Sequence, residues 1–212
     1  MKDIPVLATE NGVASLTLKE IPYTQNAYVI VQSTESPTEF FSECADFCRA
    51  VGANRVYAKG VSGLESYPYH TTVIKMSRVH SGLPETDAAL FPVLPETLEQ
   101  WRRIYNEKMR NVPNAAYMTQ ADAQLLLTEG KGYFVHRGET LLGIGSAAGE
   151  QIEALAAVQP GAGGDVLLSL CNALSGDRVF VEVATENKRA MALYERLGFV
   201  PVSEVARWYQ IF

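Results

Sequence analysis

The chain has 212 residues, of which 47% are hydrophobic, and this length and composition fit one large or two small globular domains. Eighteen Lys and Arg against 24 Asp and Glu give a formal charge of −6, which argues against nucleic acid or an anionic membrane as a partner, because both favour a basic surface. No apolar run is long enough to span a bilayer and no secretory signal is present, so we expect a cytoplasmic protein.

The first eighty residues predict a small α/β unit. Their apolar patterns predict strands over 13–23, 27–34, 54–60 and 69–79. A capped amphipathic stretch over 36–52 predicts a helix, in which Cys44 and Cys48 lie one turn apart as buried thiols. We assign residues 1–80 to an N-terminal subdomain of order β-β-α-β-β, which repeats part of the later order and is a candidate degenerate half-copy of it.

The rest of the chain has a more regular pattern. Residues 81–95 predict a proline-rich linker that contains a first short strand, "AALFPVL". Beyond it the patterns predict helices over 96–111, 119–130 and 165–174, and strands over 132–137, 140–147, 151–158 and 178–185. A last helix and one or two final strands follow. The resulting order from residue 88 predicts an α/β fold with flanking helices and a mixed, mostly antiparallel sheet.

The last helix lies in "TENKRAMALYERLGF", residues 185–199. Its apolar stripe has helical spacing and consists of Ala190, Leu193, Tyr194 and Leu197. Asn187 is a suitable N-cap and Gly198 a suitable stop just past the helix end. Folding alone does not explain the tyrosine, because a phenol on a buried face brings a hydroxyl group that needs a partner.

This helix-and-turn pattern, Asn-x-x-Ala-x-x-Leu-Tyr-x-x-x-Gly-Phe, resembles the recurring motif of the GNAT superfamily of N-acetyltransferases. The element order of residues 88–212 resembles that family's fold as well. The resemblance implies a GNAT-like domain over 88–212 that uses acetyl-CoA as cosubstrate. It also implies direct transfer of the acetyl group to a primary amine of a small molecule or peptide. Asn187, Ala190 and Tyr194 would then line the coenzyme site. A homodimer is the candidate oligomeric state.

A Gly-rich loop carries the second part of the resemblance. In the family, Gln/Arg-x-x-Gly-x-Gly/Ala binds the coenzyme pyrophosphate, and "QPGAGG" here offers Gln159, Ala162 and Gly164. Small residues let backbone N–H groups approach phosphate at a helix start. The expected coenzyme contacts are Ala156, Ala157, Val158, Gln159, Gly161, Ala162, Gly163, Gly164 and Asp165. The loop departs from the pattern because it lacks Lys and Arg, and because Asp165, an alternative N-cap, adds negative charge.

Two glutamates are candidates for the general base. Glu182 precedes Tyr194 by twelve residues, which resembles the branch that acetylates ribosomal-protein N-termini; the resemblance implies Glu182 as base and Tyr194 as acid. By the period of two, Glu182 shares a strand face with Phe180, and its alternative role is an ion pair with Arg178 or Arg189. The second candidate is Glu153, because many members of the family use an acidic residue on this strand. Its position here differs by one residue from the register of that family residue. The resemblance further implies that backbone N–H groups of 156–158 stabilise the oxyanion.

Two other functions compete with this interpretation. Gly143-x-Gly145-x-x-x-Gly149 is a weak match to a dinucleotide-binding loop, which would indicate an oxidoreductase. Alternatively, the chain is a catalytically inactive GNAT-fold module that binds CoA or a protein partner. No metal is expected, because His70, His80 and His136 stand alone in the sequence.

Overall fold

The computed structural model describes residues 4–212. These residues divide into two compact units, one of residues 4–73 with Glu204–Phe212 and the other of Ile74–Ser203. The subdomain boundaries expected from the sequence and the half-copy relation of residues 1–80 stay predictions.

The first unit combines a sheet with one long helix. Its elements are β1 (Val6–Thr9), β2 (Gly12–Thr17), α1 (Ile21–Thr24), β3 (Asn26–Thr34), α2 (Pro37–Ala50) and β4 (Arg55–Lys59). The final strand, β11 (Val200–Gln210), adds its C-terminal part, so the strand order is β1-β2-β3-β4-β11. The pairing is antiparallel except between β3 and β4. The strand predicted over 13–23 ends early, because Pro22 at the start of α1 begins a helical turn. Cys44 and Cys48 are buried thiols, as predicted.

The second unit contains the motifs singled out in the sequence. Its elements are β5 (Tyr69–Val79), β6 (Ala89–Pro92), α3 (Leu98–Met109), α4 (Gln120–Thr128), β7 (Gly132–Arg137), β8 (Thr140–Ala148), β9 (Gln151–Ala157), α5 (Gly163–Cys171), β10 (Arg178–Ala184) and α6 (Lys188–Arg196). The strand order is β5-β10-β9-β8-β7-β6. β9 and β10 run parallel, whereas β6 to β9 pair antiparallel. The predicted fold class, a mixed and mostly antiparallel sheet with flanking helices, is confirmed.

Helices cover both faces of this second sheet. On one face, Trp101 and Tyr105 of α3 pack against Ile144 of β8 and Ala156 of β9. On the other face, α5 and α6 form a larger cluster with the sheet, and its β10 members are Val179, Val181 and Val183. Tyr194 belongs to this second cluster. Residues that alternate with these valines therefore face the α3 side.

The glycines of the proposed dinucleotide motif serve packing instead. Gly143 and Gly145 lie inside β8, and not in a turn between a strand and its helix. A Cβ atom on Gly143 would lie 2.6 Å from a methyl carbon of Val166, and one on Gly145 would overlap the side chain of Leu170. Their missing side chains allow α5 to approach the sheet closely. The dinucleotide-loop interpretation is therefore wrong.

Candidate active site

β9 and β10 part soon after they begin to pair. Their parallel ladder joins Gln151 to Phe180 and Ile152 to Val181, and it ends there. On its other side, β9 contains a bulge at Glu153, because Ser146 pairs with Ala154 and Ala147 pairs with Ile152. A bulge bends its strand and breaks the ladder locally. The result is an opening in the sheet between residues 153–157 and 182–184.

Backbone amides of β9 face this opening. The N–H groups of Val158 and Gln159 both donate to the carbonyl oxygen of Leu142, over 2.8 and 3.1 Å. Because successive N–H groups of a strand point in opposite directions, those of Leu155 and Ala157 point towards β10, where the ladder has ended. Of the three amides expected from the sequence, only that of Ala157 faces the opening, because those of Ala156 and Val158 point to β8. The amide of Leu155, which also faces the opening, was not among the expected ones.

The Gly-rich loop leads into an uncapped helix start. α5 begins at Gly163, two residues earlier than predicted, with Ala162 as its N-cap. Asp165 is therefore the third helical residue, and the expectation of an N-cap there is wrong. Within residues 4–212, no side chain caps α5, and a Cβ atom on Gly161 or Gly164 would have no neighbour within 4 Å. The first N–H groups of the helix are thus available to an anion.

A basic residue from another strand approaches this helix start. The Nη2 atom of Arg137, at the end of β7, lies 3.0 Å from Oδ1 of Asp165, and its Nε atom lies 2.7 Å from Oδ1 of Asp87. Hydrogen bonding to Asp87, and the charges of both carboxylates, raise the pKa of Arg137. The hydroxyl group of Thr86 also donates to Oδ1 of Asp165, over 3.1 Å. No feature of the loop sequence signals Arg137.

The helix that carries Tyr194 begins as predicted. The Oδ1 atom of Asn187 accepts a hydrogen bond from the N–H of Ala190, over 3.2 Å, so Asn187 is the N-cap of α6. Gly198 adopts a φ of 81° just past the helix end. The first turn of α5 lies beside this helix, since a Cβ atom on Gly163 would be 3.2 Å from Leu193.

Tyr194 is almost wholly buried. Its side chain belongs to the same apolar cluster as Leu155 and Val183, which flank the opening, and its exposed fraction is 7%. Burial raises the pKa of the phenol to about 12. The hydroxyl group has no hydrogen-bond partner in the described chain, where only the amide of Asn114 is both fully enclosed and unpaired. The phenol oxygen of Tyr194 therefore keeps contact with solvent.

The two candidate bases have different surroundings. Glu182 is exposed, is the first residue of β10 beyond the ladder, and faces away from Val181 and Val183. Across residues 4–212 it forms no ion pair; Arg178 instead donates to the hydroxyl group of Ser77, over 2.5 Å. Glu153 occupies the bulge and pairs with Lys131 at 3.0 Å. Glu182 and Ala157 thus lie on the two strands that border the opening, and Tyr194 packs with Leu155 and Val183 on the sheet face opposite Glu182.

Residues 4–212 contain no group of three or more His, Cys, Asp or Glu side chains that could hold a metal ion. No helix among them is long and apolar enough to cross a bilayer.

Known proteins share this fold without close sequence similarity. No protein-family model matches the chain, and no curated protein matches it by sequence. A conserved protein of unknown function from Staphylococcus epidermidis superimposes with a TM-score of 0.62 at 8% identity, covering 99% of this chain and 94% of that one. A GCN5-related N-acetyltransferase from Kribbella flavida gives 0.61 at 8% identity, covering 96% and 58% of the two chains.

A second GCN5-related N-acetyltransferase, from Anabaena variabilis, gives a TM-score of 0.58 at 11% identity, covering 87% of this chain and 54% of that one. This chain therefore spans a little over half the length of both named acetyltransferases. These likenesses show that the chain has the GCN5-related N-acetyltransferase fold.

Proposed function

We propose that this protein transfers an acetyl group from acetyl-CoA directly to a primary amine of a small molecule or peptide. The observation that carries the proposal is the opening between β9 and β10, where the N–H groups of Leu155 and Ala157 lie beyond the end of the ladder and Tyr194 packs with Leu155 and Val183. When bound, acetyl-CoA supplies an activated thioester. All other requirements fall to residues of this chain.

The chain offers suitable contacts along the length of such a cosubstrate. The uncapped N–H groups of Gly163 and Gly164 suit a pyrophosphate, because the start of a helix favours negative charge. The N–H groups of Leu155 and Ala157 suit the amide oxygens of a pantetheine arm or the thioester oxygen. Hydrogen-bond donors aimed at an oxygen that gains negative charge lower the barrier to acyl transfer.

Glu182 is the candidate general base. An alkyl ammonium has a reference pKa of about 10.4, so the acceptor must lose a proton before it can attack. Glu182 is exposed, lies beside the opening and has no ion pair within the described chain, so its carboxylate can accept that proton directly or through water. Glu153 is the weaker candidate, because Lys131 already occupies it.

Tyr194 is suited to donate a hydrogen bond to the departing sulfur. Its pKa is about 12, so the phenol stays protonated at neutral pH. Complete proton transfer to a thiolate whose conjugate acid has a pKa of about 8.5 would be uphill by about 5 kcal/mol. We therefore infer that Tyr194 stabilises the thiolate through a hydrogen bond, while solvent supplies the proton.

Binding and turnover are tested separately. Acetyl-CoA at 100 times its dissociation constant should stabilise the protein by about 2.7 kcal/mol in thermal unfolding, whereas NADPH should have no effect. Released thiol should then be measured with peptide N-termini, polyamines and aminoglycosides. Tyr194→Phe should fold and bind acetyl-CoA but turn over more slowly. Failure of wild-type protein to bind acetyl-CoA would contradict the proposal.

An inactive GNAT-fold module is the alternative, and it is favoured by the negative charge of Asp165 near the expected phosphate site. Such a module would bind CoA, show no turnover with any amine, and be indifferent to Tyr194→Phe.

A further inference from the structure

The carboxylate of Asp165 is engaged by side chains outside α5 and forms no hydrogen bond to the first N–H groups of that helix. An acidic residue in the first turn of a helix commonly caps that helix with its own carboxylate. In α5 the carboxylate forms no such cap within the described chain. Its Oδ1 atom instead accepts from Thr86 and is paired with Arg137 at 3.0 Å.

Separate contacts fix the partners of Asp165 in place. The segment of residues 86–88 is held to α5 because the hydroxyl group of Ser169 donates to the carbonyl oxygen of Ala88, over 3.0 Å. The same segment carries Asp87, which lies 2.7 Å from the Nε atom of Arg137. Arg137 is therefore held between two carboxylates, and its guanidinium group is oriented towards Asp165.

We propose that Arg137 is a positioning residue that holds the Asp165 carboxylate away from the start of α5, so that the first N–H groups of this helix stay open to a diphosphate. The inference rests on the proposed function, since it concerns the coenzyme pyrophosphate. Without Arg137, only the neutral hydroxyl group of Thr86 still holds the carboxylate, which can then turn to the N–H groups of Gly163 and Gly164. It would then compete with the diphosphate through both charge and position.

The net charge beside the start of α5 depends on Arg137. Arg137, Asp87 and Asp165 together carry a formal charge of −1, and removal of the guanidinium group leaves −2 beside a site for an anion. Loss of Arg137 should therefore weaken the binding of phosphate-bearing ligands. Removing the charge of Asp165 as well should restore that binding, because no carboxylate is then left to turn inward.

The test is a double-mutant cycle in the full chain, read out as the dissociation constant for CoA by titration calorimetry. Arg137→Gln should weaken binding by about tenfold. Asp165→Asn alone should bind at least as well as wild type, and the double variant should return to within about twofold of it. Arg207→Gln, which breaks an exposed ion pair with Glu204, is the matched control for lost charge and should leave the constant unchanged.

Each outcome separates the two proposals. If wild-type protein does not bind CoA, the proposed function fails. If wild type binds and Arg137→Gln binds equally well, only the role of Arg137 is refuted. If Arg137→Gln weakens binding and Asp165→Asn fails to restore it, Arg137 acts on the phosphate directly and the positioning role is wrong. A crystal structure of Arg137→Gln gives an independent readout, in which the Asp165 carboxylate should lie within hydrogen-bond distance of Gly163 or Gly164.

Discussion

The guanidinium group of Arg78 donates a hydrogen bond to the carbonyl oxygen of Leu197, at the C-terminal end of the helix that carries Tyr194. It also donates to the carbonyl oxygen of Gly82, over 2.6 Å. The end of a helix bears unpaired carbonyl groups and a partial negative charge, so a cation there satisfies both. Arg78, which lies in β5 more than one hundred residues earlier in the chain, thus stabilises the C-terminal end of α6.

Arg78→Ala should lower the free energy of unfolding by about 1–2 kcal/mol, because it removes a charged donor from the part-buried carbonyl group of Leu197 and from the exposed carbonyl group of Gly82. Urea denaturation provides the measurement. Arg207→Ala is the control, and its exposed ion pair should contribute less than about 0.5 kcal/mol. Equal effects of the two substitutions would show that Arg78 does not stabilise the helix end.

The phenol of Tyr194 should make stability depend on alkaline pH. Folding raises its pKa from 10.0 to about 12, so its contribution is complete below pH 10 and is lost as the pH rises through 12. Between pH 8 and pH 11 this one group should cost the wild type about 1.4 kcal/mol of stability. Urea denaturation at both pH values should show that Tyr194→Phe loses about 1.4 kcal/mol less stability than wild type, because Tyr28 and the three buried cysteines, whose pKa values are also raised, contribute equally in both proteins. An identical pH dependence in the two proteins would mean that the phenol is not buried.

Two glycine substitutions should have opposite effects on stability. A Cβ atom at Gly145 would overlap Leu170 and lie 2.7 Å from the carbonyl oxygen of Ala154, so Gly145→Ala should destabilise the fold by about 1–3 kcal/mol. Gly164→Ala adds a methyl group in open space within a helix and should be neutral or stabilise by up to about 1 kcal/mol. Thermal unfolding of both variants compares them, and a destabilised Gly164→Ala would contradict the geometry of α5.

The two glutamates should differ in their effect on turnover. Glu182→Gln should lower kcat by about 100-fold or more, because the proposed general base is removed without disturbing an ion pair. Glu153→Gln should change kcat by less than about twofold, since this carboxylate pairs with Lys131. Steady-state kinetics with the best amine from the acceptor panel, at saturating acetyl-CoA, decides between them. A larger loss in Glu153→Gln would reverse the assignment.

Local sequence patterns predicted the helix that carries Tyr194, but they did not predict the long-range contacts around it. Asn187 and Gly198 cap α6 as expected, because capping depends on neighbours in the sequence. The contacts of Arg137 and Arg78 join residues far apart along the chain, and no periodic pattern records them. The Gly143 motif was misleading for a related reason. The sequence alone does not distinguish a glycine required for close packing from a glycine required in a phosphate-binding loop.

The bulge at Glu153 has a consequence for how such proteins can be recognised. The gap between β9 and β10 arises beside one extra residue in the backbone of β9, and a bulge is set by the number of residues between paired positions. A chain can therefore keep this opening, the proposed thioester site, while most side chains around it are replaced. Deleting the one extra residue at the bulge, while Ala157, Glu182 and Tyr194 are kept, should restore a regular register between β8 and β9 and close the opening.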